Sequence, residues 1–343
     1  MCELMLTICS VSFHSKPFLD LNWHLTTRLN PGDSFTWLVV ENSWESCEGR
    51  LDDSDNRFHV VRGVEHEKRD KYTASYHHGA GLNKGLLHVE SRFALFLDPD
   101  FYIVRKQWIR DVIAYMLAKD LSFFGVPWHP KWFTKVRHFP CPHCLFVDLD
   151  KVSGEGLDFV PELREGLKQQ THLPAIEGRT ITRVRQAVRL VARNVHVRMP
   201  FLKDLHLPTL EERRSIGSSL DTGYRIYRQY CQDSQLRHKC AIPVFRPDSD
   251  FVGPKHALSR LNRMVERLLP DRLCFIPKQS TYYTPVSFQD LGYFDMRPEQ
   301  WEEFMWQGIP FGFHLRSYPY RNKRDKAIEL LALERAIRNL CYD

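Results

Sequence analysis

The sequence predicts an α/β protein built on a mostly parallel, doubly wound sheet. Two observations carry this expectation. Strand and helix signals alternate through the first 125 residues, and an apolar run, "RFALFLD" (92–98), ends in the pair Asp98-Pro99-Asp100 before apolar residues resume. In such sheets ligands sit beyond the carboxyl ends of the strands, so charged groups at one strand end point to function.

The elements follow in order. "LMLTICSVSF" (4–13) reads as a first strand. "KPFLDLNWHLTTRL" (16–29) repeats Phe18, Leu19, Leu21, Leu25 and Leu29 at helical spacing, with Pro17 suited to a first turn. After the turn signal Asn30-Pro31-Gly32-Asp33 comes a second strand, "FTWLVVEN" (35–42), and "RFHVVRG" (57–63) is a short third. "GLNKGLLHVES" (81–91) reads as a helix entered through a glycine-rich loop. "RFALFLD" is the fourth strand, and "QWIRDVIAYMLAKD" (107–120) an amphipathic helix. Beyond residue 125, proline and aromatics cluster in "VPWHPKWF" and "VRHFPCPHC", predicted as loops lining a cleft. A helix starts near Asp221, and "AIELLALERAIRNL" (327–340) reads as a terminal docking helix. The organisation expected is a ligand-binding half over 1–125, a second half over 126–320, and the docking helix within 321–343.

Composition narrows the class. The chain has 343 residues, 43% hydrophobic and 26% charged, which is a globular composition able to bury a sizeable core. A net charge of +6 permits anionic partners without implying nucleic acid. Nine scattered cysteines suit a reducing compartment better than a disulfide framework. The opening "MCELMLTICSVSFHSK" lacks a basic region before its short apolar run, and no apolar run has the length of a membrane span. The expected address is the cytoplasm.

Two like charges one residue apart at the end of a buried strand require a cation or hydrogen bonds. Hard carboxylate oxygens suit Mg²⁺ or Mn²⁺, which keep waters and complete their shells with substrate phosphates. Asp-Pro-Asp is also ordinary turn chemistry. A third possibility is the aspartyl nucleophile of phosphatases, although Phe101 and Tyr102 follow here and the strand is the fourth, not the first.

The neighbouring segments favour the metal. Ser12-Phe13-His14 ends the first strand, Glu41-Asn42-Ser43 ends the second, Gly81-Leu82-Asn83-Lys84-Gly85 follows, and Asp98-Pro99-Asp100 ends the fourth. In order and spacing this resembles the family 2 glycosyltransferases with the GT-A fold, over about the first 125 residues. Two departures stand out: His14 replaces the usual Asn, and the second motif lacks its glycine.

The resemblance implies a metal-dependent transferase that moves one sugar from a nucleotide-diphosphate sugar to a hydroxyl acceptor. The acceptor implied is a glycan or a lipid-linked glycan, and the reaction inverting and non-processive. Mn²⁺ or Mg²⁺ at Asp98 and Asp100 would neutralise the departing diphosphate. Ser12 and Phe13 would border the base, Glu41 would accept from base or ribose, and Asn83 and Lys84 would approach the donor. Asp221, in "SSLDTGYRI", matches the family's base, though Leu220 stands where an acidic partner is usual. Its plainer role is to cap the helix that follows. Asp248 and Asp250 are weaker candidates. His314, in "GIPFGFHLRSY", occupies the place of a late metal-binding His, and Arg316 would lie on the same side of a strand, near the diphosphate. A nucleotide-sugar binder without turnover is the main alternative, and a phosphatase-type hydrolase the next.

Two segments stand apart from the resemblance. Cys141-Pro142-His143-Cys144 has the spacing of a zinc pair, but no second pair accompanies it, and an acceptor-side loop is the favoured reading. Residues 179–198 carry six arginines among aliphatic residues. As a helix this stretch would be a solvated face or a peripheral contact with an anionic membrane, at its inner face.

Overall fold

The structure is a computed structural model, and it describes residues 5–43, 49–63, 74–129, 139–161, 221–231, 233, 235–244, 284, 286–292, 301–315 and 335. Strand β1 (Leu6–Ser12) leads through helix α1 (Lys16–Leu29) to β2 (Phe35–Glu41), and β3 (His59–Arg62) follows. Helix α2 (Ala74–Leu86) crosses to β4 (Phe93–Leu97), which runs into β5 (Phe101–Ile103) and helix α3 (Trp108–Ala118). Then come β6 (Phe123–Gly125), β7 (Cys144–Asp148), helix α4 (Tyr224–Tyr230), β8 (His238–Cys240), β9 (Ile242–Pro243), β10 (Trp301–Trp306) and β11 (Ile309–Leu315).

The central sheet has seven strands in the order β3-β2-β1-β4-β7-β6-β8, mostly parallel, with β7 antiparallel to both neighbours. It draws strands from both sides of residue 125. The chain winds outward from β1 to β3, then crosses to the other side of β1 to lay down β4. That reversal makes a crevice between the carboxyl ends of β1 and β4, the usual ligand position in open α/β sheets. Both faces of the sheet are covered, so β1, β4 and β7 are buried along their whole lengths. On one face Leu6, Ile8, Trp37 and Leu95 pack with Phe18 and Leu25 of α1 and Trp108 and Val112 of α3. On the other, Cys9, Val11, Leu38 and Phe96 pack with Leu82 of α2 and Ile226 of α4.

The helix predicted over 81–91 is displaced: α2 begins seven residues before Gly81, at Ala74, and ends at Leu86, so its expected glycine-rich entry loop is itself helical. Glycines in a helix interior each cost about 1 kcal/mol relative to Ala, and close packing offsets that here. A Cβ on Gly81 would stand 2.8 Å from a Val11 methyl carbon, and one on Gly85 only 2.4 Å from Cys9 Sγ. The missing side chains let α2 settle directly on β1. The segment "VRHFPCPHC", predicted as cleft loops, is buried from Phe139 onward and leads into β7, a central strand that periodicity did not reveal.

A second, four-stranded sheet runs β5-β11-β10-β9. Asp98-Pro99-Asp100 is therefore the joint at which one extended segment leaves the central sheet and enters the other. The Phe101 N–H donates to the Asp98 carbonyl at 3.0 Å, closing a turn with Pro99 at its second position. Buried Asn22 of α1 donates to the carbonyls of Pro99 at 3.4 Å and Phe101 at 2.7 Å, pinning that turn to the core. Residues 179–198, Asp248, Asp250, Arg316 and nearly all of the expected terminal helix lie outside the described residues.

Candidate metal centre

Three separate pieces of topology deliver side chains to the carboxyl end of β4. Asp98 follows the last residue of that strand. β7 runs antiparallel to it, pairing Cys144 with Leu97, so its first residues emerge at the same edge and set His143 beside Asp98. The Asp98 N–H donates to the His143 carbonyl at 3.0 Å, tying the two backbones together. From the second sheet, β11 pairs His314 with Phe101, just past the turn.

The side chains then converge. His143 Nδ1 lies 2.9 Å from Asp98 Oδ2, and His314 Nε2 lies 3.8 Å from the same oxygen. His314 Nε2 is 3.2 Å from Asp100 Oδ1. Ligand atoms of Asp98, His143 and His314 all fall within 4.8 Å of one another. Ligands about 2.1 Å from one ion stand roughly 3 Å apart when adjacent, so the spacing fits a shared cation. The donor set, one carboxylate and two imidazoles, is suited to a divalent transition ion.

An outer ring orients these groups. Asp98 Oδ1 faces His78 Nε2 of α2 at 3.2 Å, and His78 Nδ1 is 3.4 Å from the Thr222 hydroxyl. The hydroxyl of Thr222 donates in turn to the Ser75 carbonyl at 3.0 Å. On the other side, His314 Nδ1 lies 3.2 Å from Oε2 of Glu302, which is fully buried on β10. Burial works to raise the Asp98 carboxyl, but the charge and hydrogen bonds of His78 and His143 outweigh it and hold the group well below the usual carboxylate range.

Asp221 sits next to this ring. It is buried, precedes Thr222, and its segment is anchored where the Gly223 N–H donates to the Phe159 carbonyl at 2.9 Å. The residue at the N-cap of α4 is Gly223, two positions after Asp221.

The donor-side candidates line the neighbouring strand ends. Ser12 ends β1, with a buried hydroxyl that has no hydrogen-bond partner among the described residues. Phe13 is half exposed, its ring edge-on to that of His14 at 4.4 Å. His14 adopts φ 57°, a left-handed conformation that Asn, Asp and His enter more readily than other side chains. His14 is thus compatible with this turn. Glu41 is buried and accepts the N–H groups of Ser43 at 2.7 Å and Leu51 at 2.8 Å, so it shapes the chain after β2.

Asn83 and Lys84 each have partners of their own. The Asn83 amide donates to Asp158 Oδ1 and accepts the Phe159 N–H, both at 2.9 Å. Lys84 Nζ donates to the Gly63 carbonyl at 3.3 Å. Cys141 and Cys144 are buried, and burial pushes the Cys144 thiol well above its ordinary range. Among the described residues, the histidine between these cysteines, not their sulfurs, lies in the cluster with the spacing to hold a metal.

Sequence reasoning brought Asp98, Asp100 and His314 together but passed over His143, His78 and Glu302. His143 was masked by its flanking cysteines, and its signal was a histidine directly before an apolar run, "CLFVD".

No family model matches the chain. No curated protein matches it either. By three-dimensional structure the chain resembles parts of several solved proteins. S. aureus TarS 1-349 is 16% identical at TM-score 0.33, over 48% of this chain and 52% of that one. TarS 1-349 has also been solved in complex with UDP-GlcNAc. The galactosyltransferase LgtC, in complex with donor and acceptor sugar analogues, is 10% identical at TM-score 0.29, over 42% of this chain and 58% of that one. The mannosyltransferase PcManGT from Pyrobaculum calidifontis, in complex with GDP-Man and Mn²⁺, is 11% identical at TM-score 0.34, over 78% and 82%. The chain spans about half the length of TarS 1-349 and 30% of a longer TarS structure. Among the described residues no helix is long and apolar enough to cross a membrane.

Proposed function

We propose that this chain is a GT-A glycosyltransferase resembling family 2. It would move one sugar from a nucleotide-diphosphate sugar to a glycan or lipid-linked acceptor, with inversion and without processive synthesis. One observation carries the reading: Asp98, Asp100 and His314 meet at the carboxyl end of β4, in the crevice where the strand order reverses. The ordered motifs of the first 125 residues support it.

Asp98, Asp100 and His314 would hold Mn²⁺ or Mg²⁺, and the bound ion supplies positive charge to the diphosphate leaving group. Ser12 would give its buried hydroxyl to the nucleoside, and Phe13 its half-exposed ring. Glu41 would contribute by fixing the chain around the base, and Asn83 and Lys84 by seating α2 beneath the donor. Asp221 would take the proton of the attacking hydroxyl, held in place through Thr222 and His78. Arg316 would meet the diphosphate. The arginines of 179–198 would draw the protein to an anionic membrane carrying a lipid-linked acceptor.

A phosphatase nucleophile fits less well, because both oxygens of Asp98 face imidazoles. The test is a panel of nucleotide sugars with and without Mn²⁺, read by thermal shift and by release of the nucleoside diphosphate. Metal-dependent release of the diphosphate supports the proposal. Stabilisation with no release from any donor would make the chain a nucleotide-sugar binder, and phosphate release from simple monoesters would make it a hydrolase.

A further inference from the structure

We infer that His143 is a direct ligand of the metal. Joined to Asp98, Asp100 and His314, it would give the ion two imidazoles beside the carboxylates, and the site would select a borderline transition ion over Mg²⁺. The inference deepens the reading above and rests on it only for the presence of a metal at this strand end.

The argument begins with the backbone. β7 is antiparallel to β4, and the residue before it is tied to Asp98 by a main-chain hydrogen bond, which holds the His143 backbone beside the carboxylate. Its ring is held edge-on by Trp128, with centroids 4.8 Å apart, and lies 4.6 Å from the His314 ring. Two imidazoles from different sheets thus converge on one carboxylate oxygen, Asp98 Oδ2.

The surrounding groups orient that set. The second oxygen of Asp98 faces His78, leaving Oδ2 toward the other two histidines. The far nitrogen of His314 faces Glu302, which favours a proton on Nδ1 and leaves the Nε2 lone pair toward the carboxylates. A carboxylate behind a ligating histidine is the common outer-shell device of metal sites.

Selectivity follows from ligand type. Mg²⁺ prefers an all-oxygen octahedron and gives up its waters reluctantly, so two nitrogen donors handicap it. Imidazole suits Mn²⁺, Co²⁺ and Zn²⁺ increasingly well along the usual affinity order.

The test uses the whole chain, stripped of metal and without nucleotide sugar. Titration calorimetry with Mn²⁺, Co²⁺, Zn²⁺ and Mg²⁺ reads affinity, and electron spin-echo spectroscopy of bound Mn²⁺ counts directly coordinated nitrogens. The expected result is Mn²⁺ and Co²⁺ binding at least about tenfold tighter than Mg²⁺, with two imidazole nitrogens on Mn²⁺. His143→Ala and the milder His143→Asn should remove one nitrogen and weaken Mn²⁺ binding roughly tenfold or more. A wild-type spectrum with fewer than two nitrogens, or equal affinity for Mg²⁺ and Mn²⁺, overturns the inference whether or not the variants fold. Unchanged Mn²⁺ affinity in folded His143 variants overturns it too. If the metal binds as expected but no nucleotide sugar is turned over, the ligand set stands and the transferase reading fails.

Discussion

Glu302 and His314 are register partners on adjacent antiparallel strands, and their side chains meet at 3.2 Å with both residues buried. A fully buried carboxylate is costly unless paired, and this one lies behind the imidazole that faces Asp98 and Asp100. The pair fixes ring orientation by strand register, independent of any loop. Glu302→Gln should keep the fold but weaken metal binding about 10–100-fold, as loss of an outer-shell partner does. Metal titration alongside a melting curve checks this. Unchanged affinity would show that Glu302 serves packing only.

The two aspartates of the turn should differ. Asp98 touches His143 and His78 and lies near His314, whereas Asp100 pairs with His314 alone among these histidines. Asp98→Asn should therefore cost more metal affinity than Asp100→Asn, while both should cut turnover severely. Equal losses of affinity in the two variants would contradict the assignment.

Asp221→Asn should lower turnover by roughly 10²–10⁴-fold, the usual worth of a general base, while metal and donor binding stay near wild type. Donor affinity by calorimetry and single-turnover rates separate the two effects. Retained turnover would remove Asp221 from the mechanism.

Gly85→Ala should destabilise the protein by about 1–3 kcal/mol, because the new methyl would overpack the contact between α2 and β1. The obstructing atom is Cys9 Sγ, so Cys9→Ala in the same chain should recover part of the loss. Denaturant melts of the single and double variants test the coupling, and strictly additive losses would argue against it.

Asp158 links α2 to α4 through Asn83 and Arg225. Burial tends to raise its pKa, but hydrogen bonds from Asn83, the Val160 N–H and Arg225, with the Arg225 charge, bring it below the ordinary carboxylate value. A carboxylate depressed in the folded state adds stability above its unfolded pKa of about 3.9, and that stability is lost as pH falls through the folded value. Wild type should thus be more stable than Asp158→Asn at pH 6, and the gap should close below about pH 4. A gap that stays constant with pH would assign the difference to packing.

Much of the fold was legible because strand and helix periods are local. Lys16–Leu29 and Phe35–Glu41 fall within a residue of their predicted bounds, since apolar spacing, Pro17 and the turn at Asn30 all lie within a few positions of what they control. The start of α2 is hidden from the sequence for the opposite reason. Glycines resemble a loop until the β1 surface beneath them is known.

The sequence by itself determined the alternation of elements and the placing of Asp98 and Asp100 at a strand end, since both depend on neighbours along the chain. Whether Asp98-Pro99-Asp100 was a turn or a metal site could not be decided locally, and the tertiary structure makes the turn the means of aiming the carboxylates. Only the antiparallel return of β7 and the cross-sheet pairing of β11 bring His143 and His314 to them. Contacts spanning 45 and 214 positions leave no periodic trace in a single chain, because they are set by how sheets pair rather than by residue spacing.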